Sequence, residues 1–387
     1  MRKFLLLGVA LVLLAMAVLF SLPTIMDKKM NTVELAAPYV VSERARMLHD
    51  KLFVADLHDD ALLWSRDLLT RYDYGHSDLP RLQTGHVGLQ VFSTVTKTPR
   101  GLNFDRNADD TDNITPLVMA ERWPPRTWSS LLERALYQSE KLHRAAADSG
   151  GKLRIVRTQA DLTDILKTQT TTRDLLAAVL ATEGLHPLEG KLANVDKLYD
   201  AGFRIAGLTH FFDNEIGGSA HGVNKGGLTP FGNLVVKRLE EKKMLVDLAH
   251  ASPNVIDDVL AITTRPLLVS HTGVQGTCPG PRNLSDAHIK AIAATGGVMG
   301  MSYFHGAVCD LSVAGIIKAI RYTVNLVGVK HVALGSDFDG ATRTVFDTTG
   351  LALLTQGLLE AGFNESDIAD IMGGNVRRLL LELLPPS

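Results

Sequence analysis

Eight apolar runs of strand length, each followed by polar residues and most by a helix-like stretch, constrain this chain more than any other feature. They are Leu52–Leu57, Val87–Ser93, Leu176–Thr182, Phe203–Leu208, Met244–Leu248, Leu267–Ser270, Gly297–Ser302 and Val332–Gly335. Most are apolar almost without a break, as strands covered on both faces must be. Between them lie amphipathic stretches of helical period, among them Thr127–Ala147, Phe231–Lys242, Ser252–Ala261, Asp286–Ala294 and Val313–Val327. Such alternation builds parallel βα units, and eight units close naturally into a (β/α)8 TIM-like barrel. Barrels of this kind reach the length of this chain, 387 residues, as one domain, so residues 43–387 are expected to form a single catalytic unit.

In such a barrel the segments after the strands line one mouth, where catalytic groups sit. His58 and Asp60 stand there in VADLHDD, Glu183 in LATEGL, His250 in LVDLAH, His271 in LLVSH and Asp337 in VALGSDFDG. Residues two apart on a strand share a face, so His58 and Asp60 can hold one ion together. A carboxylate such as Glu183 is costly at an apolar strand end unless paired or metal-bound, and a bidentate one can bridge two cations. Imidazoles ending two successive strands, His250 and His271, suit a borderline-soft ion such as zinc. The ordered set of His58, Asp60, Glu183, His250 and His271 reads as the ligand shell of a two-metal hydrolase, with Asp337 ending one more run. His210 closes the fourth run as a further ligand or a substrate contact, and Asp247 reads as a supporting residue. The stretch 336–340 resembles part of a calcium loop but lacks its remaining ligands, so Asp339 is expected to be structural.

A net charge of −2, with no Lys/Arg-rich run, argues against a nucleic-acid surface. Two cysteines, Cys278 and Cys309, form no disulfide framework; they read as buried thiols rather than as one bond. The amino terminus differs from the rest. Arg2 and Lys3 precede an apolar run, Phe4–Leu22, and Asp27, Lys28 and Lys29 follow it. At ~1.5 Å per residue this run covers about 28 Å, close to the hydrocarbon thickness of a bilayer. It is read as an N-terminal transmembrane helix within an anchor of residues 1–26, followed by a linker over 27–42. Ala15-Met16-Ala17 permits the other reading, a cleaved signal peptide and a secreted protein. Both place the catalytic domain on the periplasmic or extracellular side. No candidate ligand precedes His58, so residues 1–30 are expected to be dispensable for catalysis. The polar segment Lys97–Pro125 follows the second run and breaks the rhythm; it is either an inert surface insertion or a substrate-facing lid.

From about Leu52 to Leu380 the chain resembles the amidohydrolase superfamily, and more closely its membrane (renal-type) dipeptidase family of zinc metallopeptidases. The resemblance rests on Asp56-Leu57-His58-Asp59-Asp60, Asp78-Leu79-Pro80, Gln90-Val91-Phe92-Ser93, Glu183-Gly184 and Leu208-Thr209-His210. Gly227-Leu228-Thr229, Asp247-Leu248-Ala249-His250, Ser270-His271, Arg282-Asn283-Leu284, Gly335-Ser336-Asp337-Phe338-Asp339-Gly340 and Gly373-Gly374-Asn375 extend it. It implies hydrolysis of dipeptides by a hydroxide activated between two Zn²⁺ ions per chain. By the same resemblance His58 and Asp60 hold one zinc, His250 and His271 the other, and Glu183 bridges them. His210 and Arg282 become substrate contacts and Asp337 the catalytic acid/base. A homodimer is compatible with this reading. The chain departs from the family at Asp59, where Asn is usual, and in the loop past His210. The alternative is another metal hydrolase of the superfamily, an N-acyl-amino-acid amidase or a lactonase; a free α-amine requirement separates the two.

Overall fold

The computed structural model describes Phe4 and residues 20–387. Eight parallel strands build a barrel: β1 (Val54–Asp59), β2 (Val87–Val95), β3 (Leu176–Glu183), β4 (Phe203–Gly207), β5 (Leu245–Asp247), β6 (Leu268–Thr272), β7 (Val298–Met301) and β8 (Val332–Leu334). Neighbours in sequence are neighbours in space, β8 pairs with β1, and β2 pairs with β3 from Leu89↔Ala177 to Val95↔Glu183, which closes the ring. All eight expected runs are strands. Their pattern was legible because each is buried on both faces. One buried cluster takes a residue from every strand (Ala55, Leu89, Ala177, Ile205, Leu245, Leu268, Val298 and Ala333) and fills the barrel. Val376, Leu379 and Leu380 of the helix Asn375–Leu383 join that cluster and close its floor.

The outer faces of the strands pack against amphipathic helices, as expected. The helix Val313–Val327 buries Ile316, Ile320 and Thr323 at helical spacing, and Ser312 caps it by accepting from the Gly315 amide. A ninth strand, Leu153–Ile155, was not expected, because three residues containing Arg154 carry no periodic signal. It pairs with the first half of β3, at Leu176–Ala178, while β4 pairs with Leu180–Thr182 beyond it.

Two features differ from the reading of the sequence or extend it. Cys278 and Cys309 are not thiols but a disulfide. They lie 31 residues apart, on the segments after β6 and β7, and only the barrel order sets those segments side by side. The 27–42 stretch is tied to the barrel: Thr32–Val33 pairs in parallel with Arg343–Thr344, beyond β8. Among the described residues no helix is long and apolar enough to cross a membrane. The expected transmembrane run Phe4–Leu22 lies, apart from Phe4 and residues 20–22, outside the described residues.

Candidate active site

The strand ends bring the sequence-derived residues to one mouth. His58 lies in β1, and Asp60 follows it, its amide donating to the Phe338 carbonyl after β8 at 2.9 Å. Glu183 is the last residue of β3, His271 lies in β6, and His210 and His250 follow β4 and β5. His250 and Asp337 hold left-handed backbone, at φ 63° and 65°, an uncommon state for non-glycine residues that concentrates at functional sites. Gly340 is required beside them, since a Cβ there would run into the Asp337 carboxylate.

Glu183 is the centre of the cluster. Its Oε1 lies 3.4 Å from His58 Nε2, 3.2 Å from His250 Nε2 and 3.3 Å from His271 Nε2, and its Oε2 lies 3.2 Å from His210 Nε2. On the other side of His58, Nε2 is 3.4 Å from Asp60 Oδ2 and 4.0 Å from Asp337 Oδ1. The ring nitrogens of His250 and His271 meet at 2.9 Å. Ser270 orients two of the rings, with Oγ 2.8 Å from His271 Nδ1 and 3.4 Å from His58 Nδ1, so that their Nε2 atoms turn inward. Asp247 takes the Ser270 and Ala249 amides, the supporting role expected of it. Asp56 likewise accepts from the Ser336 amide and hydroxyl and from the His58 amide.

Burial disfavours charge throughout this cluster, and the neighbours decide each outcome. Burial lowers His58, but Asp60 and Glu183 outweigh it and hold the imidazole well above its ordinary range. Burial raises Glu183, and the surrounding histidines reverse that, leaving it well below the carboxylate range. His250 and His271 are driven well down by burial, which leaves their ring nitrogens free to act as ligands.

The donor set fits a metal. His58 Nε2 and Asp60 Oδ1 are buried without a hydrogen-bond partner. Among the described residues three groups could each hold an ion: His58, Glu183 and His271; Glu183, His210 and His250; His58, Asp60 and Asp337. Imidazoles and carboxylates in this mixture suit zinc or a similar ion. Glu183 is shared by two of the groups, and His210 stands among the ligand candidates. Arg282, after β6, donates Nη2 to the His271 carbonyl at 2.9 Å, while its Nε has no partner. It faces the same cavity as Glu183, His210 and Asp337. Asp339 does what the sequence suggested: its carboxylate takes Arg66 at 2.7 Å, the His76 amide at 2.7 Å and the Ser77 hydroxyl at 3.0 Å.

The sequence profile of a family described as "Membrane dipeptidase (Peptidase family M19)" matches residues 42–383. The chain belongs to that family. It is a dipeptidase-type hydrolase, and family membership implies a metal. It is 27% identical over 348 residues to the dipeptidase aclJ of Aspergillus oryzae, covering 84% of this chain and 77% of the relative. It is 24% identical to mouse dipeptidase 3, covering 80% of this chain and 64% of the relative. Its fold matches that of the probable dipeptidase PvdM from Pseudomonas aeruginosa, with a TM-score of 0.74 at 20% identity, over 89% of this chain and 98% of the other. A metallopeptidase from Rhodobacter sphaeroides, liganded with a phosphinate mimic of L-Ala-D-Ala, matches at TM-score 0.68 and 21% identity, over 86% and 99% of the two chains.

Two contributors to this dipeptidase's site come from outside the strand ends: the first takes the substrate-facing alternative that the sequence offered, and only the second escaped the sequence reading. The 97–125 insertion faces the site: Leu102, Phe104, Ile114 and Leu117 line the cavity. It is fastened through His221, whose Nδ1 lies 2.7 Å from the Phe104 carbonyl and whose own carbonyl accepts from the Asn107 amide at 2.8 Å. His221 also packs its ring 5.2 Å from His250. The second contributor is the helix over residues 20–30, from which Leu22, Met26 and Met30 line the same cavity. Residues 20–30 thus reach the cavity rather than standing clear of it. No ligand precedes His58, but a cavity wall does, and a motif search for ligands does not see walls.

Proposed function

We propose that this enzyme hydrolyses dipeptides at a centre of two zinc ions, with His58 and Asp60 on one, His250 and His271 on the other, and Glu183 between them. The observation that carries the reading is Glu183 ringed by four imidazole nitrogens, beside Asp60 and in one cavity with Arg282. Bound there, the ions would polarise the scissile carbonyl and lower the pKa of water to about 7. Asp337 accepts a proton at its carboxylate and returns it to the leaving amine. His210, beside Glu183, donates a hydrogen bond to the charge that develops on the carbonyl oxygen. Arg282 is buried, and among the described residues it forms no ion pair, so its fork is available for the terminal carboxylate of the substrate.

We also read the catalytic domain as exported, anchored by Phe4–Leu22 or released after cleavage near Ala17. The Cys278–Cys309 disulfide supports this, because such bonds persist in oxidising compartments. The test is a panel of L,L- and L,D-dipeptides with zinc-reconstituted full-length protein, scored by release of free amino acids. Dipeptides should turn over, whereas their N-acetyl derivatives and C-terminal amides should not. Turnover of N-acyl-amino acids or lactones, with dipeptides untouched, would establish the alternative superfamily activity instead.

A further inference from the structure

The cavity that holds Glu183, His210, Arg282 and Asp337 measures about 720 Å³, within the range of roughly 300–1,000 Å³ common for small-molecule sites. One of its walls comes from outside the barrel. Leu22, Met26 and Met30 are spaced four apart on the helix over residues 20–30 and so share one face, which looks into the cavity. Leu63, Ile114 and Leu117 line it as well. Leu22, Met26 and Met30 remain 40%, 39% and 39% exposed, although they are apolar and line the cavity that holds Glu183, His210 and Asp337. Apolar side chains left open along a cavity mark a ligand surface, and methionine adapts to apolar ligands of varied shape.

The helix is fixed in place. Asp27 is buried on it and takes Arg66 Nε at 2.7 Å, while Arg66 Nη2 reaches Asp339 Oδ2 at 2.7 Å. Arg66 thus joins the helix to the loop that carries Asp337. At the other end, the Arg122 guanidinium lies 4.7 Å from the Phe20 ring centroid, joining the helix to the 97–125 insertion.

We propose that this wall binds a large apolar side chain of the substrate, making the site selective for dipeptides whose amine-bearing residue is bulky and apolar. The proposal rests on the dipeptidase reading above. Its orientation follows from the barrel: Ile114 and Leu117 pack with Leu63, after β1, and with Val95, at the end of β2, whereas β6, which precedes Arg282, lies across the ring from β2. A dipeptide with its carboxylate on Arg282 therefore turns its other residue toward the wall.

The experiment compares Phe-Ala with Ala-Ala on the full-length, zinc-loaded protein, by kcat/KM and by calorimetric binding. The natural enzyme should favour Phe-Ala by at least about tenfold. Met26→Asp places a charge in the wall and should cut that preference about tenfold or more, through KM; the Met26→Ala, Met30→Ala pair should cut it less. Equal kcat/KM for the two dipeptides, or a Met26→Asp loss that is proportional on both, overturns the proposal. If neither dipeptide is cleaved, the dipeptidase reading fails by itself, and the wall is judged by affinity: tighter Phe-Ala binding that Met26→Asp abolishes upholds it, and equal affinities overturn it.

Discussion

Asp337 and Asp339 stand two residues apart with opposite fates. Burial lifts the Asp337 carboxyl well above its ordinary range, with His58 opposing. Burial also raises Asp339, but Arg66 and His76 outweigh it and hold that carboxyl at about 2. Asp337→Asn should lower kcat by ~10²–10⁴ and leave metal content and Tm nearly unchanged. Asp339→Asn strips the buried Arg66 of one of its two carboxylate partners, leaving Asp27, and should cost about 1.5–3 kcal/mol of stability. Measuring kcat, zinc content and Tm on both variants decides the matter; a stable, metal-loaded, inactive Asp339→Asn beside an active Asp337→Asn would reverse the two roles. Asp59 is explained at the same scale. Burial, then the charge of Asp339, pushes its carboxyl well up, and a neutral carboxyl is close in shape to the asparagine that the family resemblance leads one to expect. The local motifs made His58, Asp60, Glu183, His250 and His271 legible as candidates, because they follow four apolar runs, the first two sharing one. Ser270 as the support of two imidazoles was not legible, since a serine before a histidine carries no such signal.

Among the elements, the connections differ most from what the sequence suggested. The 97–125 segment looks like solvent-exposed loop, yet its Asp112 fastens it inward: the carboxylate accepts from the Ile114 amide at 2.8 Å and takes Arg134 at 2.7 Å. That leaves Ile114 and Leu117 free to face the cavity. The disulfide is the second case. Arg282 lies four residues past Cys278, within the span that the Cys278–Cys309 bond closes. Closing a loop of this separation is worth about 3–4 kcal/mol in the chain-entropy model. Cys278→Ser with Cys309→Ser should lower stability by that order in denaturant unfolding, and a reductant should shift the natural protein to the same midpoint. Identical midpoints for natural protein and double variant, with and without reductant, would show the bond contributes nothing.

At the scale of the whole molecule a bound ion would staple the barrel, because its candidate ligands come from β1, β3, β6 and the segments after β1, β4, β5 and β8. An ion that binds only the folded state stabilises it by mass action, by about 2.7 kcal/mol at a hundredfold excess over Kd. A chelator should therefore lower Tm and abolish turnover together, and added zinc should restore both in a concentration-dependent way. A Tm that stays constant while the metal is stripped would separate the site from the stability of the barrel. The sequence by itself determined the eight strands, their order and the polar groups at their ends. Those are local properties: an apolar run long enough to cross a core, with a polar group where the run meets water. Only the tertiary structure decided that Cys278 meets Cys309, that His221 ties the insertion beside His250, and that Met26 and Met30 wall the cavity. Each of those joins segments distant along the chain, and their meeting follows from closure of the ring, which no local pattern of residues records.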